Sequence, residues 1–163
     1  MSKLFSILGT GFFLLAMADA SREDIRSRKI PDRTGAVLLL YGFCLCVLGG
    51  RPAGWGAGTV GAGERLLGLC VISLPMVVWN FRYPSAFGGG DVKLSAAGGF
   101  LIGWKAMLAG TAAGILLAGV YICWLLLRGK TTGKGEVALG PFLCAGILIG
   151  FFRGEAISTW YAG

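Results

Sequence analysis

Two acidic stretches carry the chemistry of this sequence. In "SAFGGGDVKL", residues 85–94, three glycines run straight into Asp91 and an apolar segment begins behind it. In "DIRSRKIPD", residues 24–32, two aspartates bracket a basic run that Pro31 ends or bends. Acids within or beside apolar segments are costly and mark functional sites. Two carboxylates from separate helices, meeting at one membrane face, are the parts of an aspartyl protease. Close carboxylates cannot both ionise easily, so they share a proton: one activates water and the other polarises the scissile carbonyl. Asp91 is one partner on this reading. Spacing leaves Asp19, Glu23, Asp24 and Asp32 all open as the other.

A helix dipole would by itself favour an acid at Asp91. It does not explain the three glycines. Gly88, Gly89 and Gly90 give the backbone access to φ > 0 and leave room for something to lie alongside. They also suggest a gating motion in which two aspartates approach only when substrate docks.

The elements that must position these acids are membrane segments. The 163 residues are 55% hydrophobic and 14% charged, with a mean hydropathy of +0.74. A soluble domain carries about 25% charge, so this chain belongs to the membrane class. Apolar runs fall near residues 4–20, 35–48, 66–81, 92–103, 106–127 and 137–152. A break at "GWK", residues 103–105, separates the fourth from the fifth. The expected fold is all-α: about six transmembrane helices joined by short loops, in a single membrane-embedded domain over residues 1–163. The fourth run of about 12 residues covers only about 18 Å, against a hydrocarbon core of about 30 Å, so Asp91 is expected below the headgroup plane.

Orientation follows from the cations. Arg22, Arg26, Arg28, Lys29, Arg33, Arg82, Lys93, Arg128, Lys130 and Lys134 share one face. Lys3, Arg51, Arg65, Lys105 and Arg153 share the other. The richer face is expected in the cytoplasm, with both termini outside. The net charge of +7 is then a topology signal that also suits anionic lipid, with no nucleic-acid partner implied. The first 20 residues mimic a cleavable signal peptide, but the five cations directly behind them resist translocation.

Other letters mislead. "RGKTT" lacks the first glycine of a phosphate loop, and "GAGTVG" has neither a preceding strand nor a following acid. Cys44, Cys46, Cys70, Cys123 and Cys144 lie in apolar runs without histidine or a CxxC pair, and read as small buried hydrophobes. "GTAAG" (110–114) and "GILIG" (146–150) are small-xxx-small pairs suited to close helix contact.

With these residues in place, the sequence resembles the type IV prepilin peptidases and their archaeal preflagellin relatives, six-helix GxGD aspartyl proteases. Their first catalytic aspartate precedes a proline by seven residues, as Asp24 precedes Pro31, with Asp32 following. Their second lies in GxGD with an x-K-L tail, matched by Gly88, Gly90, Asp91 and Lys93 in "GGGDVKL". "ALGPFL", 138–143, resembles the G-P-F-L that opens their last helix. The resemblance names Asp24 and Asp91 as the catalytic pair. It makes Gly88, Gly90, Lys93 and Pro31 motif or positioning residues, with no cofactor or metal.

The implied substrate is a prepilin-like precursor. Its basic leader is cut at the cytoplasmic face of the inner membrane, next to an apolar helix that stays in the bilayer. Glu136 or Asp32 could meet that leader. The CxxC-bearing methyltransferase domain of larger members is missing, so methylation is not expected, and the compact form resembles enzymes of tight-adherence (Flp-type) pili. Two other classes compete: a small transporter or channel subunit using Asp91, and a noncatalytic assembly factor. Transport predicts polar residues in mid-helix, where little beyond Asn80 occurs; loss of activity predicts loss of an aspartate, and both are present.

Overall fold

The computed structural model describes residues 2–27, 32–47, 60–83, 87–129 and 139–162. Among these residues every regular element is a helix: α1 (Ser2–Ser27), α2 (Asp32–Val47), α3 (Ala62–Arg82), α4 (Gly89–Ile102), α5 (Trp104–Leu127) and α6 (Gly140–Ala162). By length and hydropathy α3 and α5 are each able to cross a membrane.

The helix boundaries follow local chemistry. α4 and α5 part at Gly103, whose φ of 82° is a backbone state that glycine adopts without strain, so the break expected at "GWK" is present. α1 differs from expectation. It was expected to end near residue 20, with the acids in a loop, yet it runs unbroken to Ser27. No glycine or proline interrupts residues 20–27, and Arg26 in the last turn suits the helix dipole. Asp24 is therefore a helical residue.

α4 lies at the centre and is buried on nearly every side, touching α2, α3, α5 and α6. It runs parallel to α2, with Gly35 against Lys93 and Gly42 against Phe100. It also runs parallel to α6, where Gly98 meets Ile147. α3 packs antiparallel to α4 through Gly68 and Gly99, which sit backbone to backbone. α5 and α6 share the most extensive interface. There the two glycine pairs face each other: a Cβ on Gly110 would lie 3.1 Å from the Gly150 Cα, and one on Gly114 would lie 2.7 Å from the Phe142 carbonyl oxygen. The core of Phe13, Met17, Leu38, Leu94, Leu101, Met107 and Ile147 fills the space between.

The cysteines differ from expectation. Cys144 is buried, but Cys44 and Cys123 are exposed on helix faces turned away from the bundle. In a chain surrounded by lipid, an outward face is as apolar as a core face, so an apolar run does not imply burial.

The glycine seam makes a sharp prediction. Gly110→Ala should destabilise the detergent-solubilised protein by about 1–3 kcal/mol through overpacking. Gly119→Ala, on the same helix with open space around it, should be neutral or slightly stabilising. Thermal unfolding of the two variants reads the difference.

Candidate active site

Asp24 reaches the interior because it continues the buried stripe of α1. Gly9, Phe13, Met17, Ala20 and Asp24 are all buried and recur at helical spacing. Asp19 and Glu23 fall on exposed faces of the same helix. The Phe13 ring packs on Phe151 of antiparallel α6 at 4.6 Å, and Asp24 lies as far along α1 as Gly140 lies back along α6. The Gly140 N–H donates to Asp24 Oδ2 at 2.9 Å in a buried hydrogen bond. That amide is available because it starts α6 and has no intrahelical acceptor. Pro141 beside it has no N–H, and the amides of Phe142 and Leu143 both donate to the Leu139 carbonyl. A side chain at position 140 is excluded: its Cβ would sit 2.7 Å from the Asp24 Cγ.

Asp91 occupies the first turn of α4, whose N-cap is Gly88. Its carboxylate turns back onto the Gly88 backbone, and a Cβ on Gly88 would lie 3.2 Å from Oδ2. Oδ1 is buried and has no partner among the described residues. The glycine run does not adopt the backbone expected of it. Gly88 has φ −63° and ψ 141°, Gly89 and Gly90 are helical, and among the described residues the positive-φ glycines are Gly103 and Gly129. The segment that leads into α4 is instead held by Asn80 near the end of α3. Asn80 Nδ2 donates to the Phe87 carbonyl at 3.0 Å, and the Phe87 N–H donates to Asn80 Oδ1 at 2.9 Å.

The structure brings Asp24 and Asp91 within electrostatic reach of each other, and Cys144 on α6 within reach of both. The parallel register of α4 and α6 explains this, since Gly98 and Ile147 pair as far below Asp91 as below Gly140. Of the other expected site residues, Gly88 is exposed and Gly90 half-buried at the start of α4. Lys93 is exposed with its stem on Gly35. Pro31, Glu136 and the Asp32 side chain lie outside the described residues. Among the described residues no three His, Cys, Asp or Glu side chains gather as a metal site.

Sequence reasoning did not assign Gly140 or Asn80 a role. A glycine and proline opening an apolar run was the available signal for the first, and a lone amide near the end of an apolar helix for the second. If Gly140 makes room for the Asp24 carboxylate, Gly140→Ala should lower stability by about 1–3 kcal/mol. In an Asp24→Ala background the same substitution should cost much less, a coupling that a double-mutant cycle measures. Asn80→Leu should speed hydrogen exchange of the Phe87 amide more than that of amides in the middle of α4.

The model of the Type IV leader peptidase family matches residues 11–123, which include both aspartates. The chain is 29% identical over 149 residues to the prepilin leader peptidase/N-methyltransferase of Bacillus subtilis, covering 91% of this chain and 57% of that protein. It is 34% identical over 134 residues to the same-named protein of Pectobacterium carotovorum, covering 78% and 44%. With that of Burkholderia pseudomallei it shares 34% over 144 residues, covering 82% and 41%. The chain thus spans about half the length of the curated relatives it matches. No solved structure matches it. On the family match and these similarities, the chain belongs to the Type IV leader peptidase family.

Proposed function

We propose that the chain is an aspartic endopeptidase that removes the basic leader from prepilin-like precursors, with Asp24 and Asp91 as its catalytic pair. The observation that carries this reading is the pairing of buried Asp24 with half-buried Asp91, whose buried Oδ1 has no partner among the described residues. An unsatisfied buried carboxylate oxygen is costly and needs a use. Water or a scissile carbonyl at Asp91 Oδ1 supplies one.

As a catalytic pair, one carboxyl acts in its ionised form and the other in its protonated form. The ionised member takes a proton from water as the oxygen attacks the carbonyl carbon. The protonated member donates to the carbonyl oxygen, so no full negative charge builds up in a low-dielectric site. Collapse of the tetrahedral species returns a proton to the leaving nitrogen and separates leader from product. Gly140 fixes one carboxyl through its backbone amide, and Gly88 receives the other.

All six helices cross the inner membrane in this reading, with both termini outside and the site at the cytoplasmic face. α5 supports a recessed site. Gly114 packs at the level of Phe142, and α5 then continues to Leu127 for about 20 Å. Leu116, Val120 and Leu127 on that extension are exposed, and Trp124 stacks under Arg128 at 4.1 Å as an interfacial anchor. A scissile bond beside an apolar helix would reach that depth. Lipid is then the solvent of the outer faces.

In membranes holding the chain and a prepilin, Asp24→Asn and Asp91→Asn should each lower leader cleavage by at least about 10²-fold, with the precursor still bound. Full-rate cleavage by either variant would rule out the pair. For topology, a single cysteine at Arg128, with the native cysteines replaced, should react with an impermeant maleimide only from the cytoplasmic side. Labelling from outside would invert the orientation.

A further inference from the structure

A groove of about 380 Å³ opens between α3 and α5, with the first turn of α6 beneath it. One end belongs to the site. Phe87 lines it and directly precedes Gly88, on which Asp91 rests; Leu139 lines it and directly precedes Gly140, which holds Asp24. A polypeptide lying across the two carboxylates therefore has a neighbouring side chain within reach of this space. The walls are apolar, built from residues such as Ile72, Met76 and Phe142. One polar atom stands out. Thr111 lines the groove, is 8% exposed, and its hydroxyl has no partner among the described residues. A buried hydroxyl without a partner is costly, and an occupant offering a backbone N–H or carbonyl would satisfy it.

Size and access narrow the occupant. The volume sits at the lower end of the range for small-molecule pockets and suits one or two large side chains. At the rim Ile115 and Trp79 are 63% and 55% exposed, so the groove opens on the outer surface of the bundle. Pro75 lines the α3 wall and cannot donate to the Val71 carbonyl, which loosens that helix beside the opening. A side chain can thus enter from a segment lying alongside α3 and α5.

We propose that this groove is a substrate-recognition subsite that takes a bulky apolar side chain, aromatic or branched, from the polypeptide close to its scissile bond. This rests on the peptidase reading above. The subsite discriminates by side-chain size, because cleavage is favoured when burial of that side chain fixes the scissile carbonyl over the carboxylates.

The test uses the full chain in membranes and a precursor series in which each apolar residue near the scissile bond is truncated to Ala in turn. One truncation should lower wild-type kcat/KM by about 10-fold or more. Ile115→Trp, which narrows the groove from its exposed rim, should lower kcat/KM for the parent precursor by a similar factor, mainly through KM. The same variant should process the truncated precursor about as well as wild type does. A benzophenone-bearing residue at the responsible position, trapped with Asp24→Asn, should cross-link to residues 72–79 or 111–115. Equal losses on parent and truncated precursors, no loss on either, or cross-links confined to other segments or to lipid would overturn the subsite. If the wild-type chain cleaves no precursor, the peptidase reading fails and the subsite falls with it.

Discussion

A buried carboxylate at the end of α1 takes its hydrogen bond from the first amide of α6, and the positions of the other helices can be traced from that contact. Four amides at a helix start lack intrahelical acceptors. At α6 the Pro141 nitrogen carries no hydrogen, and the next two amides close onto Leu139. The Gly140 N–H is the donor left over, and it points where the dipole of α6 favours a negative group. Phe13 against Phe151 sets the same register further along the pair. A slip of one turn between α1 and α6 would break both contacts at once. α4 inherits the level of α6 through Gly98 and Ile147, which is how Asp91 comes to face Asp24.

Glycine allows this precision without a large core. Between helices in lipid there is little hydrophobic driving force, so association depends on close contact. Gly68 with Gly99 and Gly110 with Gly146 bring backbones together that any side chain would hold apart. Where α3 and α5 flank the proposed site the residues are larger, and Pro75, Trp79 and Ile115 line a groove between the helices. Tight seams elsewhere and a groove beside the acids are two results of one distribution of small and large residues.

Much of this was legible from letters alone. The break at Gly103 and the short helix behind Asp91 follow from glycine and segment length, whereas the letters marked "GTAAG" and "GILIG" as contact candidates without saying that they meet each other. The choice of Asp24 among the nearby acids was not, although the stripe 13, 17, 20, 24 contains it. That stripe is hard to see because exposed Phe12, Leu14 and Leu15 are as apolar as buried Phe13 and Met17. In water the contrast between faces reveals the buried side; in lipid the contrast vanishes, and periodicity loses its signal. Only the family pattern singles out Asp24 among those acids. The Gly140 amide was hidden for another reason, since a backbone donor has no letter of its own and shows only through what its neighbours lack.

The glycines before Asp91 illustrate why residue type underdetermines role. Three consecutive glycines suggest a hinge, and positive φ is the usual reason to use them. Here the first is an extended N-cap and the other two are helical, so conformational freedom is not what the fold draws on. Gly88 matters for space, because the Asp91 carboxylate folds back over its Cα. Gly89 faces open space among the described residues. Asn80 supplies the rigidity that three glycines would otherwise remove, fixing Phe87 by both its N–H and its carbonyl. A half-buried acid that is to be both reachable and oriented needs an open approach and a firm anchor. Glycine provides the first and the α3 amide provides the second.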